Sequence, residues 1–165
     1  ISSLVLSEAG GVKGVGIRNS LSTDGGQTWP TVTSIPNTAG LVSPDKNWIV
    51  CDKTATRPFY GNCYTEWDDN GDGNRIYMST SADGGLTWGP RLKTANNATG
   101  IGGQPVVQPN GTVIVPIDNA NETARLAVER SASTMWSPLR RQWLARPAGP
   151  IFRGDAWNFG AENWS

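Results

Sequence analysis

The sequence predicts an all-β fold built from four-stranded antiparallel units that repeat along the chain. Two observations carry this. First, an octet occurs twice, as Ser22-Thr23-Asp24-Gly25-Gly26-Gln27-Thr28-Trp29 and as Ser81-Ala82-Asp83-Gly84-Gly85-Leu86-Thr87-Trp88. The copies agree at six of eight positions and begin 59 residues apart, and Pro30 and Pro90 follow them. A motif recurring at that spacing marks a repeated supersecondary unit. Second, short strand-like runs alternate with clusters of Gly, Pro, Asn and Asp throughout the region that holds the copies.

The octet reads as a turn between two strands. Asp24 and Asp83 are placed to accept hydrogen bonds from backbone N–H groups just ahead of them, closing an Asx-type turn. Gly26 and Gly85, each preceded by another glycine, permit positive φ. The hydroxyls of Ser22, Thr28, Ser81 and Thr87 can tie the flanks together, and Trp29 and Trp88 give each copy a large ring to bury. A hairpin turn used twice by coincidence is the plain alternative, and agreement at six fixed positions argues against it.

In chain order, residues 1–21 hold two strand-like pieces, near Ser3–Ser7 and Val12–Ser20, joined at Gly10-Gly11. The first octet leads into a strand near Pro30–Ile35, and a polar loop runs from Pro36 to Pro44. A complete unit follows, with strands at Trp48–Asp52, Cys63–Trp67 and Arg75–Thr80, a tight loop at Asp68–Asn74, and a fourth strand near Arg91–Thr94 after the second octet. Four antiparallel strands joined by turns describe one β-propeller blade. A third unit starts at Gln104-Pro105-Val106-Val107, turns at Pro109-Asn110-Gly111, and continues through Thr112–Ile117 to a third strand around Leu126-Ala127-Val128.

A third octet is then due, but the chain reads Ser131-Ala132-Ser133-Thr134-Met135-Trp136-Ser137-Pro138, without Asp-Gly-Gly. The expectation is therefore a propeller arc of about two and a half blades over residues 1–130. Residues 131–165 are read as a degenerate blade or a divergent tail, a shifted reading frame being one origin for the latter. Propellers close with roughly 4–8 blades. The expected organisation is thus part of a longer propeller, or an arc that self-associates with another copy through its open sheet edges.

Composition narrows the function classes. Fourteen basic residues balance fourteen acidic ones, no basic stripe is present, and nucleic acid is not an expected partner. No apolar run approaches membrane-spanning length. Ile1–Leu6 carry no charged start or cleavage pattern, so no signal peptide is expected there, and the chain is expected to begin after one or inside a longer protein. The chain has no histidine, which excludes His-based triads and His metal ligands. Catalysis would fall to carboxylates, Tyr, Lys, Arg or a metal held by oxygen. Cys51 and Cys63 flank the connection between two strand-like segments. A disulfide closing that hairpin suits an exported protein, with a pair of buried free thiols as the alternative.

The octet resembles the Asp box, S-x-D-x-G-x-T-W, of the sialidase (neuraminidase) superfamily, a turn that other β-propellers also carry. Asp45-Lys46-Asn47-Trp48-Ile49, Phe59-Tyr60-Gly61 and Gly102-Gly103-Gln104-Pro105 are similar to stretches of bacterial exo-sialidase-like proteins, so the resemblance covers roughly residues 15–120. It implies a six-bladed sialidase-type propeller, present here in part, in a secreted or extracellular protein. It implies an exo-α-sialidase activity that releases terminal sialic acid from glycans or glycoconjugates and requires no cofactor. The alternatives are a non-catalytic Asp-box propeller that binds carbohydrate or protein, and an inactive truncated fragment.

In that family the active site lies on the face opposite the Asp boxes. Strand order puts Asp45 and Lys46, Asp68 to Asn74, Asn96 to Gly103 and Asp118 to Thr123 on that face, and puts the hairpin containing Arg57 on the other. The family uses a Tyr nucleophile helped by Glu, an Asp acid/base, and three Arg residues that grip the substrate carboxylate in bidentate fashion. The F/Y-R-I-P motif of the first Arg is missing, since Arg18 lies in Gly16-Ile17-Arg18-Asn19. The catalytic set is therefore incomplete in this chain. Asp45, followed by Asp69, is the acid/base candidate by loop position. For each the alternative is a loop Asp that makes a turn or caps a strand. Asp68-Asp69-Asn70-Gly71-Asp72-Gly73 also fits D-x-N-x-D-G, the start of a calcium loop, with Asp68, Asn70 and Asp72 as oxygen ligands for Ca²⁺. The twelfth position is Ser79, not Glu, and the flanks are strand-like, so a hairpin loop rich in turn formers is the alternative.

Overall fold

The structure, a computed structural model, describes residues 1–36 and 43–118 and the backbone of Arg125–Glu129. These fall in Ile1–Ala132, the first of the two compact units into which the chain divides; the second, Ser133–Ser165, lies outside the described residues. The position of the missing third octet and the tail over 131–165 therefore also lie outside them.

The described chain is all-β and antiparallel. Strands β1 (Ser2–Ser7), β2 (Lys13–Leu21) and β3 (Thr31–Ser34) form a first sheet in the order β1-β2-β3. Strands β4 (Pro44–Cys51), β5 (Cys63–Asp69), β6 (Arg75–Ser81) and β7 (Leu92–Lys93) form a second in the order β4-β5-β6-β7. Strands β8 (Val106–Val107), β9 (Val113–Ile117) and β10 (Arg125–Glu129) form a third, with β9 central. Each is a meander of sequence neighbours. Among the described residues the three sheets do not close into a ring.

The second sheet is covered on both faces, and β5 records it: all seven of its residues are buried. Successive side chains of a strand point to opposite faces. Cys63 and Trp67 accordingly pack with Ile17 and Ile35 of the first sheet's region, together with Tyr77 and Trp88. Tyr64, of the other parity, packs with Ile76, Met78, Val113, Val115 and Ile117, joining the second sheet to the third. The seam with the first sheet is close. A Cβ on Gly14 would lie 1.9 Å from the Pro44 carbonyl oxygen, and the Ser2 and Thr65 hydroxyls are 2.9 Å apart.

Register divides the second sheet into two ends. Cys51 pairs with Cys63 and Cys63 with Ser81 on one rung, while Pro44 pairs with Asp69 and Asp69 with Arg75 at the other. The second octet therefore leaves the Cys63 end. At that end Cys51 and Cys63 are joined in a disulfide, and the loop it closes reaches the third sheet's turn, with Arg57 donating to the Gln108 carbonyl at 2.8 Å. At the opposite end, Gly100 N donates to Asn74 O and Ile101 pairs with Asp118.

Two boundaries differ from expectation. Asp45 and Lys46 belong to β4 rather than to the preceding loop. The strand begins early because a bulge between Asp45 and Trp48 absorbs the extra residue, with Lys46 at φ 49. Likewise Asp68 and Asp69 are the last residues of β5, held in the ladder opposite Ile76 and Arg75. Only Asn70–Asp72 turn, as a single 3-10 turn that ends on Gly73 at φ 64.

Candidate active site at the end opposite the repeated turns

The two octets fold alike. In each, the Asp carboxylate accepts from the Thr amide at 2.9 Å, from the Thr hydroxyl at 2.5 Å and from the Ser hydroxyl at 2.7 Å. The Ser hydroxyl oxygen in turn accepts from the second glycine's amide at 2.8 Å. All four glycines have positive φ. These hydrogen bonds to Thr hold the Asp24 and Asp83 carboxyls well below the ordinary carboxylate range. A charge so fully spent on its own turn is unsuited to catalysis. The Trp residues differ: Trp88 is 7% exposed in the seam between the first two sheets, while Trp29 is 38% exposed.

At the opposite end, Asp45 stands directly across from Asp68, and Trp48 across from Glu66. Cross-strand partners project from the same face, and Asp68 and Glu66 share the parity of Tyr64, so all four residues face the side of the third sheet. Asp45 is half-exposed. Its Oδ1 accepts from the Lys46 amide at 2.8 Å, and its Oδ2 lies 3.9 Å from Lys46 Nζ. Asp68 and Glu66 are buried, and neither carboxylate has a hydrogen-bond partner of ordinary geometry among the described residues. Burial, then the Asp45 charge, pushes Asp68 up to about 6, with the Gly102 amide and Lys46 holding back a further rise. Burial, then the Asp68 charge, pushes Glu66 up to about 9. The Gly102-Gly103 backbone covers the pair so closely that a Cβ on Gly103 would lie 2.6 Å from Glu66 Oε2.

Asp69, the second acid/base candidate, faces the other way. Its Oδ1 accepts from the amides of Ser43 and Gly71, capping the 3-10 turn, and its Oδ2 lies 3.7 Å from Arg91. The loop Asp has become a buried capping group. The calcium expectation fares similarly. Asp72 accepts from the Tyr77 hydroxyl at 2.7 Å and lies near Arg75 and Lys93, on the Trp67 side of the sheet, whereas Asp68 faces the third sheet. Alternation along β5 thus separates two of the three proposed ligands. Among the described residues no group of three or more Asp, Glu, Cys or His is placed to hold a metal ion.

Three of the described arginines are also committed. Arg57 pairs with Asp52 at the disulfide end. Arg75 donates to the Asn97 carbonyl. Arg91 lies over the Tyr77 ring, 4.7 Å from its centroid. Arg18 is exposed in β2, opposite Ser3 and Ser34. Residues 119–123 of the last candidate loop lie outside the described residues.

Two residues of this end were not singled out from sequence. Glu66 could have been found by parity, since it shares the face of Tyr64 in a run whose other members are buried. Trp48 could not, because its exposure depends on β4 having no strand partner beyond it among the described residues. Comparison with protein-family models, with curated proteins and with solved structures finds no match to this chain.

Proposed function

We propose that the three sheets are blades of a six-bladed, sialidase-type propeller, and that the protein is an exo-acting glycosidase directed at terminal sialic acid. The observation that carries the reading is Asp45: a half-exposed carboxylate, in register over buried Asp68, at the end opposite two identically folded Asp boxes. The exposed Trp29 supports the arc. Trp88 fills a seam between neighbouring sheets, and Trp29 occupies the equivalent place on the side where a preceding blade would pack.

In this reading Asp45 is the acid/base. It gives a proton to the glycosidic oxygen as that bond breaks, and takes one from the water that completes hydrolysis. The Tyr nucleophile and the carboxylate-gripping arginines come from blades beyond the described residues. Tyr64 is buried, Tyr77 is bonded to Asp72, and Tyr60 belongs to the disulfide loop. The disulfide suits an oxidising, extracellular setting.

A second reading, a glycan-binding propeller without catalysis, is favoured by the committed state of Arg57, Arg75 and Arg91. One assay separates the two. Release of 4-methylumbelliferone from its α-sialoside is measured with the propeller that contains this chain, and with Asp45→Asn in it. Hydrolysis that falls about 100-fold or more in the variant supports the enzyme. Hydrolysis indifferent to the substitution removes Asp45 from the role. Sialoside binding without turnover supports the scaffold, and the absence of both refutes both.

A further inference from the structure

At the Asp45 end a large aromatic ring is left in water beside the proposed acid. Trp48 is 51% exposed, although its cross-strand partner Glu66 is fully buried on the same face. The exposure arises because β4 is the edge strand of its sheet. The backbone beneath the ring is held, since the Trp48 carbonyl accepts from the Thr65 hydroxyl at 3.2 Å. Asn47 is turned away, donating to the Ser2 hydroxyl at 2.6 Å on the first sheet's side. The bulge therefore does one specific thing. It places Asp45 and Trp48 two ladder positions apart on one face, about 7 Å along the strand, and lifts Lys46 out between them with its ammonium beside the Asp45 carboxylate.

We infer that Trp48 and Lys46 are the sugar-recognition edge of this end: the indole stacks on the apolar face of a pyranose, and the ammonium meets the carboxylate of an acidic sugar held over Asp45. The inference rests on the reading of the chain as a sialoside-directed propeller and adds to it the residues that would choose the substrate. A stacked aromatic with one apolar face and a wet rim is suited to a ring that presents C–H groups on one side and hydroxyls around it. Lys46 supplies a mobile point charge rather than a planar fork, so it discriminates acidic from neutral sugars without fixing the carboxylate's orientation.

The experiment is a titration of the whole chain, labelled with ¹⁵N at its indoles, with methyl α-sialoside and separately with the neutral methyl β-galactoside. The Trp48 signal is assigned by its loss in Trp48→Phe. The sialoside is expected to move the Trp48 indole resonance. Trp48→Ala is expected to weaken binding about tenfold, with Trp48→Phe in between. Lys46→Gln is expected to weaken sialoside binding about two- to fivefold and to leave the galactoside unchanged. Melting curves of the variants check that each is folded, and the Phe variant keeps the test open if the Ala variant is not. Sialoside binding that leaves the Trp48 signal and the Trp48 variants unaffected overturns the inference while the sialidase reading stands. No sialoside binding to the unsubstituted chain also overturns the inference, and the hydrolysis assay with Asp45→Asn decides the sialidase reading.

Discussion

Replacing Glu66 with Gln is expected to stabilise this protein at neutral pH. Glu66 is fully buried with both carboxylate oxygens unpartnered, and burial together with the Asp68 charge raises its pKa from 4.5 to about 9. A carboxyl with a raised folded-state pKa favours the fold only while both states are protonated. As pH rises above 4.5 the unfolded chain releases its proton and the folded chain does not, so stability falls until the folded carboxyl itself ionises near 9. Each pH unit in that window costs up to about 1.4 kcal/mol. Between 4.5 and pH 7 the loss is therefore on the order of 3 kcal/mol, a large share of the roughly 5–15 kcal/mol that holds a domain together. Gln is neutral throughout and nearly the same shape. The assay is urea denaturation followed by Trp fluorescence at several pH values from about 5 to 8. The unsubstituted protein should lose stability steadily over that range, and Glu66→Gln should flatten the slope. Asp68→Asn should flatten it only below about 6, where burial and Asp45 place that carboxyl. A stability flat with pH in the unsubstituted protein, or an unchanged slope in Glu66→Gln, would refute the reasoning. Either would mean that Glu66 is ionised in the fold and has found a partner charge.

Two further outcomes follow from the other end. Reducing the Cys51–Cys63 disulfide, which spans 12 positions, should lower the unfolding free energy by about 3 kcal/mol. Urea midpoints with and without a phosphine reductant measure this, and coincident midpoints would show that the loop is held by Arg57, Gln108 and Asp52 alone. Asp83→Ala removes the acceptor that closes the second turn, so it should speed proteolysis within residues 83–88 and shift Trp88 emission to the red. Asp24→Ala should move the emission of Trp29 less, since that ring is already 38% exposed. Equal spectral shifts in the two variants would contradict the difference in burial.

Legibility from sequence followed the range of the interactions involved. Every strand and turn of the second sheet was readable in outline, because its signals are local: a turn that closes on its own Ser, Asp and Thr needs no distant partner. Asp68 and Asp69 read as loop in the sequence because Asp disfavours strands, yet ladder partners on both sides of β5 outweigh that preference. Asp45 lies at the end opposite the octets, but strand order alone does not explain its setting. Its position over Asp68 comes from the bulge, and a bulge leaves no composition signal when Lys rather than Gly takes the positive φ. The sharpest divergence concerns the acidic run Asp68–Asp72. As a string it looks like one liganding loop, but in the fold alternation sends Asp68 to the third sheet while Asp69 caps the turn and Asp72 joins Tyr77. The same alternation brings Glu66, Asp68, Asp45 and Trp48 onto one face although they lie on two strands. A site built by cross-strand register can be read only after the register is known, and here one extra residue in β4 decides whether Trp48 stands beside the acid or turns away from it.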